Sequence, residues 1–211
     1  SVLVPLASLP QSSRPRPSSA RLLDENKPMA ARLTVIAGPT AVGKGTVVKH
    51  ILENYPDVAL SVSATTRAPR PGEVDGVDYY FWTHEQFDAA IARGEMLEYA
   101  IVHGVNKYGT PKAPVEAALE AGKMVLLEID IQGARQVKKA MPQATTVFLA
   151  PPNWEELVRR LQGRGTENAE EQARRLETAR AESAAQSEFD RVIVNDEVAK
   201  CASQVVELMK S

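Results

Sequence analysis

The sequence predicts an α/β fold: a parallel sheet covered by helices, carrying a small mixed α+β insert. Three observations carry that expectation. First, short continuous apolar runs recur between helical stretches, at Leu33–Ala37 (LTVIA), Met124–Asp130 (MVLLEID), Thr146–Ala150 (TVFLA) and Val192–Asn195 (VIVN). Runs of this kind suit parallel strands buried on both faces. Second, a glycine-rich turn joins the first run to a helix extending to about Asn54. Third, the middle of the chain, about Ser61 to Tyr108, holds only short strand-like pieces (SVSATT, YYFW, MLEYAIVH) and one helical stretch around Glu85–Ala92. At about 150 residues per domain, 211 residues make one domain with insertions.

The ends are read from local chemistry. Residues 1–28 include PQSSRPRPSSA, which offers almost nothing to bury and is expected to be a flexible extension. Met29 then stands just before the first strand, as an alternative start. Two helix starts are marked by Asn153 with Glu156 and by Asn168 with Glu171, an N-cap followed by an acid at the third position. Gly163, Arg164, Gly165 and Thr166 link those two helices flexibly. A last helix, about Glu197–Lys210, aligns Val198, Ala202, Val205, Val206 and Met209 as a core-facing stripe, with Cys201 beside it as a structural residue.

Composition narrows the function classes. Lysine plus arginine is 25 and aspartate plus glutamate is 27, for a formal net charge of −2, which argues against a backbone-gripping nucleic-acid binder. Aromatic residues are 5%, too few for a stacking platform. One cysteine excludes an intrachain disulfide and fits a reducing cytoplasm; with three scattered histidines it also makes a zinc site a poor expectation. No apolar run approaches the ~18 residues that a membrane helix needs.

The most specific local motif is the run Gly38, Pro39, Thr40, Ala41, Val42, Gly43, Lys44, Gly45 and Thr46. It follows a buried strand and opens a helix, the context of a phosphate-binding P-loop. Glycines let backbone N–H groups converge, the helix N-terminus adds partial positive charge, and Lys44 can neutralise the β/γ-phosphates of a nucleotide. One position departs from the pattern. Gly45 replaces the serine or threonine that would reach Mg²⁺, so water, or Thr46 after a small shift, must take that place. Mg²⁺ is the expected cofactor, with no side-chain ligand at position 45.

A P-loop does not name a reaction. Asp130-Ile-Gln-Gly133 resembles a GTPase D-x-x-G, and Asn106-Lys107-Tyr108-Gly109 the start of a guanine-reading N-K-x-D. However, Gly109 stands where the guanine-binding carboxylate would be, and the two motifs occur in reversed order. Elsewhere, Arg67 and Arg70 lie three residues apart in a loop held by Pro69, Pro71, Gly72 and Gly76. Two guanidinium groups so placed can clamp one phosphate, and Tyr79 can add a hydroxyl donor.

This segment and the P-loop together closely resemble guanylate kinase. The resemblance continues through Glu98-Tyr99-Ala100, Tyr108-Gly109-Thr110, Glu128 to Gly133, Pro151-Pro152, Arg160 to Glu167 and Val192 to Asp196, and it covers about residue 32 to the C-terminus. It implies a P-loop kinase fold and Mg²⁺-dependent phosphoryl transfer from ATP to GMP or dGMP, in purine nucleotide metabolism. The implied parts are a core (29–60 and 111–211), a GMP-binding region (about 61–110) and a helical lid (about 153–187). Carried over by position, Arg67, Arg70, Tyr79 and Tyr108 hold the GMP phosphate. Ser63, Glu98 and Thr110 read guanine, Asp130 completes the acceptor site, and Asn195 contacts the adenine side of ATP. Arg160, Arg164 and Arg175 are the implied lid cations, acting with Lys44. Guanine's N1–H and N2–H₂ donors suit one carboxylate, whereas adenine would turn a lone pair toward it. Taken alone, Glu98 reads as an exposed strand acid, and Arg174 and Arg175 as i,i+4 partners of Glu170 and Glu171.

The GMP phosphate is already an oxyanion, so the chemistry needs charge neutralisation and in-line positioning rather than a general base. A second function class is a peptide-binding module of the guanylate-kinase-like type. Such modules lose the P-loop lysine, whereas this chain keeps Lys44.

Overall fold

The structure, a computed structural model, describes residue 28, residues 32–163 and residues 167–211. The expected tail over residues 1–28 therefore lies, apart from Pro28, outside the described residues, as do Met29 and Arg164, which is expected as a lid cation.

The chain begins with β1 (Leu33–Ala37), enters α1 (Lys44–Asn54) through the glycine-rich turn, and returns as β2 (Val58–Leu60). A second unit follows: β3 (Ala64–Thr65), β4 (Tyr80–Phe81), α2 (His84–Ala92), β5 (Met96–Val102) and β6 (Asn106–Pro111). The core resumes with α3 (Lys112–Glu120), β7 (Met124–Glu128), α4 (Ile131–Ala140) and β8 (Thr145–Ala150). Two helices, α5 (Trp154–Gln162) and α6 (Ala169–Ala184), precede a 3₁₀ turn (Ala185–Glu188), β9 (Arg191–Val194) and α7 (Val198–Lys210).

The core sheet is parallel throughout, in the order β2-β7-β1-β8-β9. Alternation sorts its side chains onto two faces. Leu33, Val35, Val125, Leu127 and Phe148 pack with Val115, Leu119 and Val137 of α3 and α4. Ile36, Leu126, Val147 and Leu149 pack with Val47 and Ile51 of α1 and with Cys201, Ala202, Val205, Val206 and Met209 of α7. Continuous apolar strands are thus accounted for by helices on both sides. β1 lies between β7 and β8, with the connection from β1 to β2 running to one side of it and the connection from β7 to β8 crossing to the other. Its C-terminal end is therefore the topological switch point, where a crevice opens between the loops.

The core holds five strands, one more than the apolar runs indicate. The additional strand, β2, is three residues long at the sheet edge, and only Val58 of its residues is buried, so it leaves little trace in the sequence. The second run stops at Glu128, because Asp130 caps α4 by accepting from the Gly133 N–H at 2.7 Å. That same cap explains the GTPase-like D-x-x-G spacing as local helix geometry. The last strand spans Arg191–Val194 and leaves Asn195 just beyond it.

Residues 64–111 carry a separate mixed sheet, in the order β4-β3-β6-β5, with its own small core of Ala64, Phe87, Ala90 and Met96. Asn106-Lys107-Tyr108-Gly109 is the body of β6, paired with β5, and not a nucleotide-reading loop of the core. The sheet is tied to the core by Gln136 of α4. Its side chain accepts from the Tyr99 N–H at 3.1 Å and donates to the Tyr99 carbonyl at 3.0 Å, which sets the neighbouring Glu98 against the start of α4.

The helices α5 and α6 begin at Asn153 and Asn168, whose side chains accept from the Glu156 and Glu171 N–H groups at 2.8 Å each. They bury only Leu157, Leu161 and Ala179 between them, with Trp154 and Leu176 alongside. So small a shared core marks this pair as a low-stability segment able to move against the sheet. Among the described residues, no helix is long and apolar enough to cross a membrane.

Candidate active site

The P-loop lies at the C-terminal end of β1. Gly43 sits immediately before α1 with φ 91°, a left-handed conformation that a side chain resists. Gly38 is required by proximity, since a Cβ there would lie 2.5 Å from the Leu149 carbonyl oxygen. No side chain caps α1, and the first helical bond runs from the Val47 N–H to the Gly43 carbonyl at 3.2 Å. The N–H groups of Lys44, Gly45 and Thr46 are thus left pointing into the crevice for an anion. Lys44 Nζ folds across the mouth, donating to the Gly38 carbonyl at 3.4 Å and the Ile129 carbonyl at 3.5 Å. Both bonds are long, as expected of a cation held ready for a stronger partner.

Asn195 is buried and donates from Nδ2 to the Val42 carbonyl at 2.8 Å, bracing the loop from below. Arg160 of α5 reaches the same carbonyl through Nη1 at 3.3 Å, and its Nε meets Glu156 at 3.2 Å. Arg175 of α6 pairs with Glu167, eight residues earlier, where the sequence pointed to Glu171. A cavity of about 490 Å³ lies between the loop and the helices α5 and α6, bordered by Thr40, Ala41, Arg160, Leu161, Arg174, Arg175 and Thr178. Three of its seven lining residues are arginines, a setting for polyphosphate. Arg174 had been read only as a surface pair.

The acceptor residues come together on the mixed sheet. Glu98 and Thr110 face each other across β5 and β6, and the Thr110 hydroxyl donates to Glu98 Oε1 at 2.8 Å. Glu98 is 8% exposed, so the strand acid is buried rather than solvated. Burial raises its pKa, the Thr110 hydrogen bond opposes this, and the nearby Asp130 charge adds to the rise. A Cβ on Gly133 would lie 3.1 Å from both Glu98 Oε2 and Asp130 Oδ1, which fixes the two carboxylates on either side of the start of α4. β3 pairs with β6 through Ala64↔Gly109 and Thr65↔Tyr108, and one further step along that register puts Ser63 beside Thr110. The Ile129–Asp130 loop joins the two halves of the site, since Ile129 contacts Lys44 and Asp130 adjoins Glu98.

The clamp residues also converge. The Arg67 guanidinium lies 5.3 Å from the centroid of the Tyr79 ring, and Tyr79 packs edge-on against Tyr108 at 6.1 Å. Glu73 accepts two hydrogen bonds from Arg67, at 2.8 and 3.0 Å, and also accepts from the Arg70 N–H at 2.7 Å. This pairing, helped by the Tyr108 hydroxyl, raises the Arg67 pKa further, while Glu73 is pulled down to about 2 by Arg67 first and the Arg70 N–H second. Sequence reading singled out the cations and missed Glu73. Its one signal was an acid six residues after Arg67 in the proline-glycine loop.

Glu128 was missed as well. Its Oε1 lies 3.7 Å from where a Cβ on Gly45 would sit, so a carboxylate oxygen adjoins the position of the absent hydroxyl. Among the described residues no cluster of three or more His, Cys, Asp or Glu side chains is arranged to hold a metal ion. Oxygen donors at Glu128 and Thr46, beside a phosphate loop, nevertheless fit Mg²⁺, which takes few protein ligands and keeps phosphate and water in its shell.

A family model for guanylate kinase matches residues 30–211. The guanylate kinase of Leifsonia xyli subsp. xyli is 64% identical over 187 residues, covering 88% of this chain and 74% of that protein. The guanylate kinase of Nocardia farcinica is 61% identical over 181 residues, covering 85% and 94%. Among solved structures, the guanylate kinase of Anaplasma phagocytophilum superposes with a TM-score of 0.63 at 34% identity, covering 84% of this chain and 83% of that one.

Proposed function

The chain belongs to the guanylate kinase family and is an ATP:GMP phosphotransferase of the P-loop class, and from that premise we propose that its site moves the γ-phosphoryl group of ATP onto GMP or dGMP, giving ADP and GDP. One observation carries the reading furthest. A buried carboxylate with a hydroxyl partner (Glu98, Thr110) and an arginine–tyrosine clamp (Arg67, Tyr79, Tyr108) share one small sheet beside a phosphate loop. That is a base reader and a phosphate holder within one nucleotide's reach.

In this reading the P-loop amides, Lys44 and Thr46 hold the ATP phosphates. Thr40, Ala41 and Arg160 border the adjoining cavity, and Asn195, carried over as the adenine-side contact, also braces the loop through the Val42 carbonyl. Glu98 accepts the guanine N1–H and N2–H₂, Ser63 and Thr110 supply hydroxyls, and Asp130 closes the acceptor site beneath Glu98. Arg67, Arg70, Tyr79 and Tyr108 hold the GMP phosphate, whose oxygen attacks without a general base. Lys44, Arg160 and Arg175 neutralise the charge shared between the two nucleotides, and Arg164 of the lid link is assigned to the same task by resemblance. Mg²⁺ would be held by nucleotide oxygens and water with Thr46 and Glu128 as the adjoining protein oxygens, and when bound it supplies charge neutralisation on the phosphates. The parts are the core (29–60 and 111–211), the GMP-binding region (about 61–110) and the lid (about 153–187), whose closure excludes water from ATP.

The test is ADP formation with ATP and each of GMP, dGMP, AMP, CMP and UMP. Turnover is expected with GMP and dGMP and to be far weaker with the others. Absence of GMP-dependent ADP formation would refute the reading and favour the peptide-binding class.

A further inference from the structure

We propose that Glu73 is the positioning residue of the acceptor-phosphate clamp: it grips the far end of the Arg67 guanidinium and the turn at Arg70, leaving the side edge of Arg67 aimed at the phosphate of GMP. The proposal deepens the reading of the acceptor site and rests on it.

A donor count supports it. A guanidinium has five N–H donors in a fixed fork. Glu73 Oε1 takes one from Nη1 at 2.8 Å, and Oε2 takes one from Nη2 at 3.0 Å. The Ala68 carbonyl takes the other Nη1 hydrogen at 2.9 Å. Neither of these partners engages the Nε hydrogen or the second Nη2 hydrogen. Those two point the same way along the side edge, the geometry that binds two oxygens of one phosphate. Glu73 thus occupies the terminal fork, and the remaining donors are left for the Tyr108 hydroxyl, which also hydrogen-bonds this guanidinium, and for a phosphate.

The carboxylate is itself held. Its Oε1 also accepts from the Arg70 N–H at 2.7 Å, and the Glu73 N–H donates to the Arg70 carbonyl at 3.0 Å. Residues 70–73 therefore close into a turn around this side chain, which places the Arg70 backbone beside the carboxylate that holds Arg67. The Tyr79 and Phe81 rings, 5.3 and 6.0 Å from the guanidinium carbon, limit its movement on the other side. The side chains of Arg67 and Glu73 are 12% and 19% exposed. An opposite role is conceivable in chemical terms, with the carboxylate standing in for phosphate and blocking the clamp until displaced. The geometry points away from it, since the carboxylate takes the terminal fork and its release would open the turn.

The two roles predict opposite signs. The experiment compares the intact protein with Glu73→Gln, Glu73→Asp, Arg67→Ala and the Arg67→Ala/Glu73→Gln double variant. It measures kcat, KM for GMP and for ATP, the calorimetric Kd for GMP, and Tm. Glu73→Gln turns an N–H₂ against an arginine donor, so KM and Kd for GMP should rise by about tenfold or more, with KM for ATP within about twofold. Glu73→Asp, which keeps the charge, should rise less. In the Arg67→Ala background the glutamine substitution should add nothing, because the group it positions is gone. Tighter or unchanged GMP binding in Glu73→Gln, or additive losses in the double variant, would overturn the proposal. If the unaltered protein binds no GMP, the acceptor-site reading itself fails, and the proposal fails with it. If the unaltered protein binds GMP and Glu73→Gln binds it equally well, only the positioning role fails.

Discussion

The two halves of the site are made of different materials. The donor side is built from backbone: amides at the start of α1, a left-handed glycine, and a second glycine pressed against a neighbouring strand's carbonyl. The acceptor side is built from side chains on short strands, namely Glu98, Thr110, Arg67, Tyr79 and Tyr108. A backbone cradle suits phosphate, which is the same in every nucleotide, and needs few side chains. A base has a face that must be told from other bases, and only side-chain donors and acceptors carry that information. The donor half should therefore set the rate, and the acceptor half should set which monophosphate is used.

Substitution of Lys44, the cation of the loop itself, should break this contrast most strongly. Lys44→Ala is expected to lower kcat with GMP by about 10²–10³-fold, the scale for losing one group that stabilises transferring charge. Its two native hydrogen bonds are long, so Tm should hold. Near-normal kcat would show that the helix N-terminus alone suffices.

On the acceptor half, Glu98→Gln should chiefly change selectivity. An amide keeps one acceptor but sets an N–H₂ against a guanine donor, a buried mismatch of about 1–3 kcal/mol. The ratio of kcat/KM for GMP to that for AMP should fall by about 5–150-fold, with KM for ATP steady. An unchanged ratio would remove Glu98 from base reading.

The pH dependence sharpens the same contrast. Burial raises the Glu98 pKa, so the carboxylate becomes protonated at a pH where an ordinary glutamate is still charged. Protonation removes an acceptor that guanine needs. KM for GMP should therefore climb as pH falls, beginning above the usual glutamate pKa, while KM for ATP does not follow the same curve. The sign for stability is the reverse, because burying the charged form costs free energy that protonation relieves. A profile for GMP that stays flat down to about pH 4.3, the unperturbed glutamate value, would contradict it.

The smallest effect is expected at Gly45. A Cβ there meets Glu128 Oε1 at 3.7 Å, an ordinary contact, and Gly45 has no left-handed φ. Gly45→Ser should fold normally and should lower the Mg²⁺ needed for half-maximal rate, or leave it unchanged, with GMP selectivity intact. A sharply raised Mg²⁺ requirement in a titration at fixed ATP would mean that the small size of Gly45 matters more than its missing hydroxyl.

Legibility followed the same division. The P-loop and the helix caps at Asn153 and Asn168 are contiguous in sequence, so spacing alone revealed them, and the caps formed as expected. The apolar runs marked four core strands because their residues pack helices on both faces. The edge strand β2 buries too little to leave a pattern. Glu98 looked like a surface acid because its burial depends on β6, α4 and the Gln136 tie, all distant in the chain. Arg175 was paired by helical spacing with Glu171, yet the carboxylate it meets is Glu167, before α6 begins. Glu73 and Glu128 gave almost no signal, since a lone acid in a loop or at a strand end is usually solvated.

The amino-acid sequence by itself determined the fold class, the glycine-rich loop with its departure at Gly45, and the pair Arg67 and Arg70 proposed as the phosphate clamp. These rest on local geometry and on periodic burial, which neighbouring residues encode. Tertiary structure alone decided that Glu98 is buried beside Asp130, that Glu73 holds the end of Arg67, that Asn195 and Arg160 meet at the Val42 carbonyl, and that Glu128 faces Gly45. Each of these depends on an approach between segments far apart in the chain. The environment of a charge is set by whatever packs around it, and that is a property of the assembled fold.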